Sequence, residues 1–313
     1  MNPTVWSRHG EAVSRACRLR HNPRMDARSL AMPVDPAAPA VTGGAARISP
    51  RVWRVVAPNP SPLTGPGTNT YLVGGDRPLV IDPGMQDGAH LERILAIAGG
   101  AIERVVCTHS HPDHSPGAAE LSTRTGARVY GLPAPRDPYQ DPSYTPDVEL
   151  RDGELLGDGD LRLRVVATPG HVSNHVCLLL EDEGLLFTGD HLMQGTTVVI
   201  IPPEGSMRDY LASLRRLQHM PVTSLAPGHG TVIADAQAEI SRVIAHRLGR
   251  EAKVVAALSA RSRATIDELV PVVYDDVPVS LHGWARHSLL AHAIKLVEEG
   301  RATVSGEAYQ WRG

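Results

Sequence analysis

From Arg47 onward, short apolar runs alternate with Gly/Pro turns and with stretches of helical periodicity. The runs predict strands at 52–56, 70–73 ("TYLV"), 79–82 ("LVID"), 104–107 ("RVVC"), 127–130, 161–167 ("LRLRVVA"), 176–180, 185–187 and 224–226. Apolar positions three and four apart predict helices near 87–98, 115–125 and 207–218. Strands interleaved with helices predict an α/β fold with both sheet faces covered.

Beyond about residue 240 the pattern turns helical. "TIDEL" at 265–269 reads as a capping box, Thr265 at the N-cap and Glu268 at the third helical position. Residues 281–299 place Trp284, Leu290, Ile294 and Val297 on one helix face, and "RATVSGEAYQW" reads as a hairpin around Ser305-Gly306. Helices closed by a hairpin resemble a small winged-helix module, which serves packing or nucleic-acid binding. The expected organisation is an extension over 1–46, a catalytic domain over 47–239 and the C-terminal module over 240–313. The extension is Arg-rich, then Pro/Ala/Gly-rich ("PVDPAAPAVTGGAA"). A mitochondrial transit peptide has such an Arg-rich opening. Two lysines against 29 arginines favour instead a flexible extension, or a start set upstream of the true one at Met25 or Met32.

At 313 residues, 42% hydrophobic and with a formal charge of −3, the chain has room for one large domain and a small one. No apolar run approaches the ~20 residues a membrane helix needs, so no membrane association is expected. Charge changes the picture more: residues 51–239 carry 14 Arg against 23 acids, a net −9, which argues against a phosphate-tracking groove. Three scattered cysteines give neither a disulfide framework nor a Cys-type zinc site. Cys107 and Cys177 fall in apolar runs, as buried free thiols do, and a reducing cytoplasm fits.

Fifteen histidines matter by where they fall. "THSHPDHSPG" (108–117) holds His109, His111, Asp113 and His114. His109 and His111 point the same way in extended backbone, and Pro112 keeps His111 out of the helical region. Ser115 as N-cap and Pro116 in the first turn would start a helix there and fold Asp113 and His114 back beside the pair. Three more apolar runs end on polar residues: "VVATPGH" on His171, "LLFTGD" on Asp190 and "SLAPGHG" on His229. Carboxyl ends of strands are where α/β proteins build their sites. Five histidines and two aspartates are too many for one four-coordinate zinc and suit two ions sharing a carboxylate.

HxHxDH followed by PGH, GD and PGHG resembles the signature of the metallo-β-lactamase superfamily. The resemblance implies a four-layer αββα sandwich with metals between the sheets. It implies His109, His111 and His171 on a first metal, Asp113, His114 and His229 on a second, and Asp190 bridging. "VIDPG" matches the superfamily's first motif, whose Asp82 either orients the ligand loop or simply ends a strand. His175, in "HVSNH", either contacts substrate or supports the ligands from behind. "NPSPLTGPGTNTYLVG", "GDHLMQGTTVVI", "HRLGRE" and "LHGWARHSLLAHAIKLVEEGR" are similar to the β-lactamase-like protein 2 group over about 50–300.

The implied chemistry is two-metal hydrolysis by a metal-bound hydroxide, with Asp113 or Asp190 relaying a proton. Two zinc ions are expected; iron and manganese accept the same ligands. Class B β-lactamases do not share Asp190 as bridge, and flavodiiron proteins carry an acid at the His111 position. Only 38 residues (191–228) separate Asp190 from His229, too few for the inserted domain of ribonuclease J-type enzymes. Glyoxalase II has a different C-terminal region. The expected substrate is a small activated acyl ester or thioester, and the alternative is single-stranded RNA. A lactonase, a β-lactamase or a non-catalytic scaffold fit less well.

Overall fold

The computed structural model describes residues 32–157 and 159–312. The transit-peptide and alternative-start readings, and Cys17, lie outside the described residues, save Met32 itself. Residues 45–149 form a seven-stranded sheet in sequential order. Its strands are β1 (Ala45–Ser49), β2 (Val52–Val56), β3 (Asn69–Val73), β4 (Leu79–Ile81), β5 (Arg104–Val106), β6 (Arg128–Gly131) and β7 (Val148–Glu149). Helices α1 (Gly88–Ile97) and α2 (Gly117–Thr125) cross over between its parallel strands. β8 (Leu155–Leu156), β9 (Leu163–Ala167), β10 (Val176–Leu180), β11 (Leu185–Gly189) and β12 (Ser224–Pro227) form a second sheet, ordered β12-β11-β10-β9-β8. α3 (Met207–Gln218) and α4 (Ala236–Arg261) follow it.

The period-two alternation of strand side chains splits these apolar runs between two cores. Tyr71, Ile81 and Val106 of the first sheet meet Val165, Leu178 and Phe187 of the second. The intervening Leu72, Val80 and Val105 pack outward with Leu91, Ile94 and Leu121 of α1 and α2. On the far side Cys177 and Leu179 pack with Leu211 and Leu214 of α3 and Ile240 and Val243 of α4. The result is the expected αββα order. Cys107 and Cys177 are buried free thiols.

Every helix and most strands stand within a few residues of the expected positions. β1 opens at Ala45, two residues before the expected start of ordered pattern, because Ala45 and Ala46 pair with Val55 and Arg54 of β2; upstream, Arg54 donates to Ala38 O and Val34 bridges Arg47. Ser115 is not an N-cap: α2 begins at Gly117 with Pro116 capping. The Ser115 hydroxyl instead donates to Asp141 Oδ2 (2.8 Å), and Gly84 O and Ser115 O take the first helix amides.

The C-terminal module comprises α5 (Ile266–Val273), α6 (His282–Glu298) and a small sheet of β13 (Arg263–Thr265), β14 (Ala302–Ser305) and β15 (Ala308–Trp311). The capping box forms, with Thr265 and Glu268 exchanging bonds. α6 departs from the one-sided face expected for it. Leu289, Ala293 and Leu296 enter the module's core, Ala291 enters the core beside α3 and α4, and Trp284 stays 42% exposed. The helix is wedged between two bodies and so is buried on opposite sides. Among the described residues no helix is long and apolar enough to cross a membrane.

Candidate metal centre

Five strand ends meet at one edge of the sandwich. β4 leads into Asp82, β5 into 107–114, β9 into His171, β11 into Asp190 and β12 into His229. Cross-bonds close that edge: Asn69 N donates to Gly228 O (2.7 Å) and Val176 N to Thr108 O (2.9 Å). Two glycines are dictated by this crowding. A Cβ at Gly228 would stand 2.8 Å from both Asp190 Oδ1 and His114 Cε1. One at Gly189 (φ +45°) would stand 2.5 Å from Thr108 Oγ1.

All seven side chains expected as ligands converge. The ligand atoms of His109, His111 and His171 lie within 4.8 Å of one another, as do those of Asp113, His114 and His229. Asp190 lies between the two triads: its Oδ1 is 3.3 Å from His114 Nε2 and 3.2 Å from His229 Nε2, and its Oδ2 is 3.8 Å from His171 Nε2.

Hydrogen bonds behind the rings fix which nitrogens face inward. Thr108 Oγ1 donates to Asp82 Oδ2 (2.7 Å) and can therefore only accept from His109 Nδ1 (3.0 Å). His171 Nδ1 donates to Val199 O (2.9 Å), His114 Nδ1 to Asp82 Oδ2 (2.9 Å) and His229 Nδ1 to Gly67 O (3.4 Å). The opposite nitrogen of each ring is aimed into the site, the arrangement of ligating imidazoles. His109 Nε2 and His171 Nε2 approach the one His111 Nδ1, at 2.9 and 3.1 Å. A proton there serves one neighbour; a cation serves all three. His114 Nε2 and Asp190 Oδ1 are buried 3.3 Å apart, without the angles of a good hydrogen bond. The donor set thus fits two cations.

Electrostatics divide the triads. Burial holds His109 well below the ordinary imidazole range, and it holds His171 below it and His111 down at about 3. Burial also opposes charge on His229, but Asp190 and Asp113 outweigh it and raise His229 to about 9. His114 is likewise raised, against burial, by Asp113, Asp190 and Asp82. Protons held there are what a cation would displace.

Asp82 directly follows β4 and faces Thr108 and His114. At φ +48° it accepts from Thr108 N (2.7 Å) as well as from the Thr108 hydroxyl and His114. His175 is fully buried and absent from the cavity wall. Its Nε2 accepts from Asp190 N (3.2 Å) while Nδ1 donates to Thr168 Oγ1 (2.9 Å), so it supports Asp190 from behind.

A cavity of about 240 Å³ opens over the two triads. His111, Asp113, His171, Asp190 and His229 form its floor; its walls are mostly apolar, with Leu63, Met193, Val198, Ile201 and Trp284, beside the uncharged Thr64, Thr196 and Thr197. A larger hollow, about 440 Å³, lined by Arg47, Arg51 and Trp53, contains none of the site residues. Nothing in the local sequence marks Thr108, Val199 or Tyr139, and His191 is fully buried 5.8 Å, ring to ring, from His175. Only the "GDH" triplet carried a local signal for His191.

The sequence profile of the metallo-beta-lactamase superfamily matches residues 63–229. The chain belongs to that superfamily. Residues 265–311 match the beta-lactamase associated winged helix domain. The chain is 32% identical to a beta-lactamase-like protein 2 homolog of Caenorhabditis elegans over 262 residues, covering 80% of this chain and 84% of that protein. It is 34% identical to an atrochrysone carboxyl ACP thioesterase of Aspergillus fumigatus over 251 residues, 75% and 76% of the two chains. A crystal structure of a metallo-beta-lactamase family protein from Thermus thermophilus superposes with a TM-score of 0.71 at 26% identity, covering 85% of this chain and 100% of that one.

Proposed function

We propose that the chain is a dinuclear metal-dependent hydrolase of activated acyl esters, thioesters foremost. In this reading His109, His111 and His171 would hold one cation, Asp113, His114 and His229 the other, and Asp190 would span both. Zinc is the expected metal; iron and manganese suit the same ligands. Residues 47–239 would form the catalytic domain, residues 240–313 the module that walls it, and a reducing cytoplasm fits its free thiols.

When bound, the two cations would supply an acidified water and polarise the substrate carbonyl. The chain's own residues supply the rest. Asp113, its side chain 30% exposed on the cavity floor, is better placed than Asp190, 12% exposed, to take a proton and return it to the leaving thiol or alcohol. Asp190 is held between the triads by its backbone bond to His175. The apolar walls bind an acyl chain and keep bulk water off it.

The observation that carries the reading is that one-sided lining. Among the described residues no lysine or arginine lines the cavity, whereas an RNA site would need cations along the phosphates. The thioesterase name of the Aspergillus fumigatus relative supports the same class.

The test pairs elemental analysis with hydrolysis of acyl-thioesters of increasing acyl size, lactones, a β-lactam and short single-stranded RNA. Two metal equivalents and fastest turnover of thioesters are expected, with His114→Ala losing one equivalent and most turnover. RNA cleavage without thioester turnover overturns the substrate, and unchanged metal content in His114→Ala overturns the ligand set.

A further inference from the structure

The segment 196–201, between Asp190 and α3, has no regular secondary structure, yet Val198 and Ile200 are buried in the core beside α3 and α4. It also walls the cavity through Val198, Val199 and Ile201. Its main chain is held at three consecutive residues by three different parts of the chain. Arg247 of α4 donates to Val198 O. Val199 O accepts from His171 Nδ1 at 2.9 Å. Ile200 N lies 3.3 Å from Ser288 Oγ of α6 and donates to it. Both anchors are buried, Arg247 at 2% exposure and Ser288 at 5%. Arg247 is further fixed by the Tyr210 ring, 5.2 Å below its guanidinium, and the Tyr210 hydroxyl donates to His191 O (2.8 Å), next to Asp190.

We infer that Arg247 and Ser288 are positioning residues for the metal centre, acting through the main chain of 198–200 to set the tautomer and aim of His171. This rests on the reading of His171 as a ligand. A carbonyl accepts only, so Val199 O keeps the proton on Nδ1 and the lone pair on Nε2. The carbonyl points at His171 only while its two peptide neighbours are pinned. The C-terminal helices therefore belong to the active-site machinery, reaching the first triad without touching it. The direct partner of a ligating imidazole, here Val199 O, typically carries about ten- to a hundred-fold in metal affinity, and loosening it should cost the lower end of that range.

The test uses the full chain as Ser288→Ala, Arg247→Lys and the control Thr265→Ala, which weakens the α5 cap without touching the segment. Three quantities are read: affinity for Zn²⁺ by competition with a chromophoric chelator, the visible spectrum of the Co²⁺-loaded protein, and amide exchange of Ile200 in metal-free protein. Ser288→Ala is expected to speed Ile200 exchange, weaken the tighter Zn²⁺ equivalent about ten-fold and alter the Co²⁺ bands, while Thr265→Ala leaves all three unchanged. Wild-type affinity and spectrum in a folded Ser288→Ala protein overturn the inference, as does an equal change in Thr265→Ala. Should Arg247→Lys fail to fold, Ser288→Ala decides. Failure of wild-type protein to take up Zn²⁺ at all would instead remove the metal reading itself.

Discussion

Asp82 Oδ2 lies 2.9 Å from His114 Nδ1, and both groups are buried. The same carboxylate takes the amide and hydroxyl of Thr108, and that hydroxyl in turn is 3.0 Å from His109 Nδ1. One carboxylate thus sets the tautomers of a histidine in each triad. Asp82→Asn tests this cleanly, because asparagine tolerates the φ of +48° found here. Its amide would turn a donor toward groups that are already donors. The expected outcome is unchanged far-UV dichroism with metal affinity down roughly 10–100-fold. Equal affinity in wild type and variant would show that Asp82 only ends a strand.

His175 Nε2 lies 3.2 Å from Asp190 N, and the geometry predicts that it acts on Asp190 rather than on substrate. Burial keeps its imidazole neutral, well below the usual range, so Nε2 can accept from Asp190 N. His175→Phe keeps the volume and strands that amide, while the Thr168 hydroxyl keeps Cys177 Sγ (3.3 Å). Each buried group left unpaired costs about 1–3 kcal/mol. Urea unfolding should show a loss of that size, and KM should change less than kcat. A variant changed in KM alone would place His175 against substrate.

Trp284 joins the winged-helix module to the cavity wall while remaining 42% exposed. Trp284→Ala should therefore fold normally. Lost apolar contact of about 1.5–2 kcal/mol would lower kcat/KM roughly ten-fold or more for thioesters of bulky acyl groups. Acetyl thioesters, too short to reach the indole, should be unaffected. An equal loss on both would mean that Trp284 shapes the floor rather than the wall.

The site was legible in the sequence because its residues violate local expectation. Histidines and aspartates recur just past apolar runs, where packing asks for none, and these four loops meet at the carboxyl ends of the strands. What supports the site left no such trace. Arg247 and Ser288 act on main-chain groups 49 and 88 positions away, with no spacing or side-chain pairing to mark them. Ser115 looked like a helix cap, but Asp141, 26 positions on, competes for its hydroxyl and wins. The one-face reading of α6 failed for a related cause: periodicity reports one buried side, and this helix has two.

That two-sidedness also places charge in the joint between α4 and α6. Glu251 of α4 faces Lys295 (2.9 Å) and His292 (3.5 Å) of α6 and Arg301 (3.2 Å) beyond it; Glu251 and Lys295 are both under 10% exposed. Burial opposes the charge on Glu251, but His292 and Lys295 outweigh it and hold the carboxyl at about 2, against an ordinary 4.5. A depressed carboxyl contributes stability that is present above its unfolded value and lost as pH falls toward the folded one. The contribution should thus be complete above pH 4.5 and fade between 4.5 and about 2. Glu251→Gln removes the carboxylate and leaves Lys295 buried without it, a change costing about 3–5 kcal/mol for a fully buried pair and less here, since Arg301 is 43% exposed. Urea unfolding at pH 7 should show the variant clearly weaker than wild type, and the gap should narrow steadily below pH 4.5. A gap independent of pH down to 3 would mean that Glu251 stabilises the joint by packing alone.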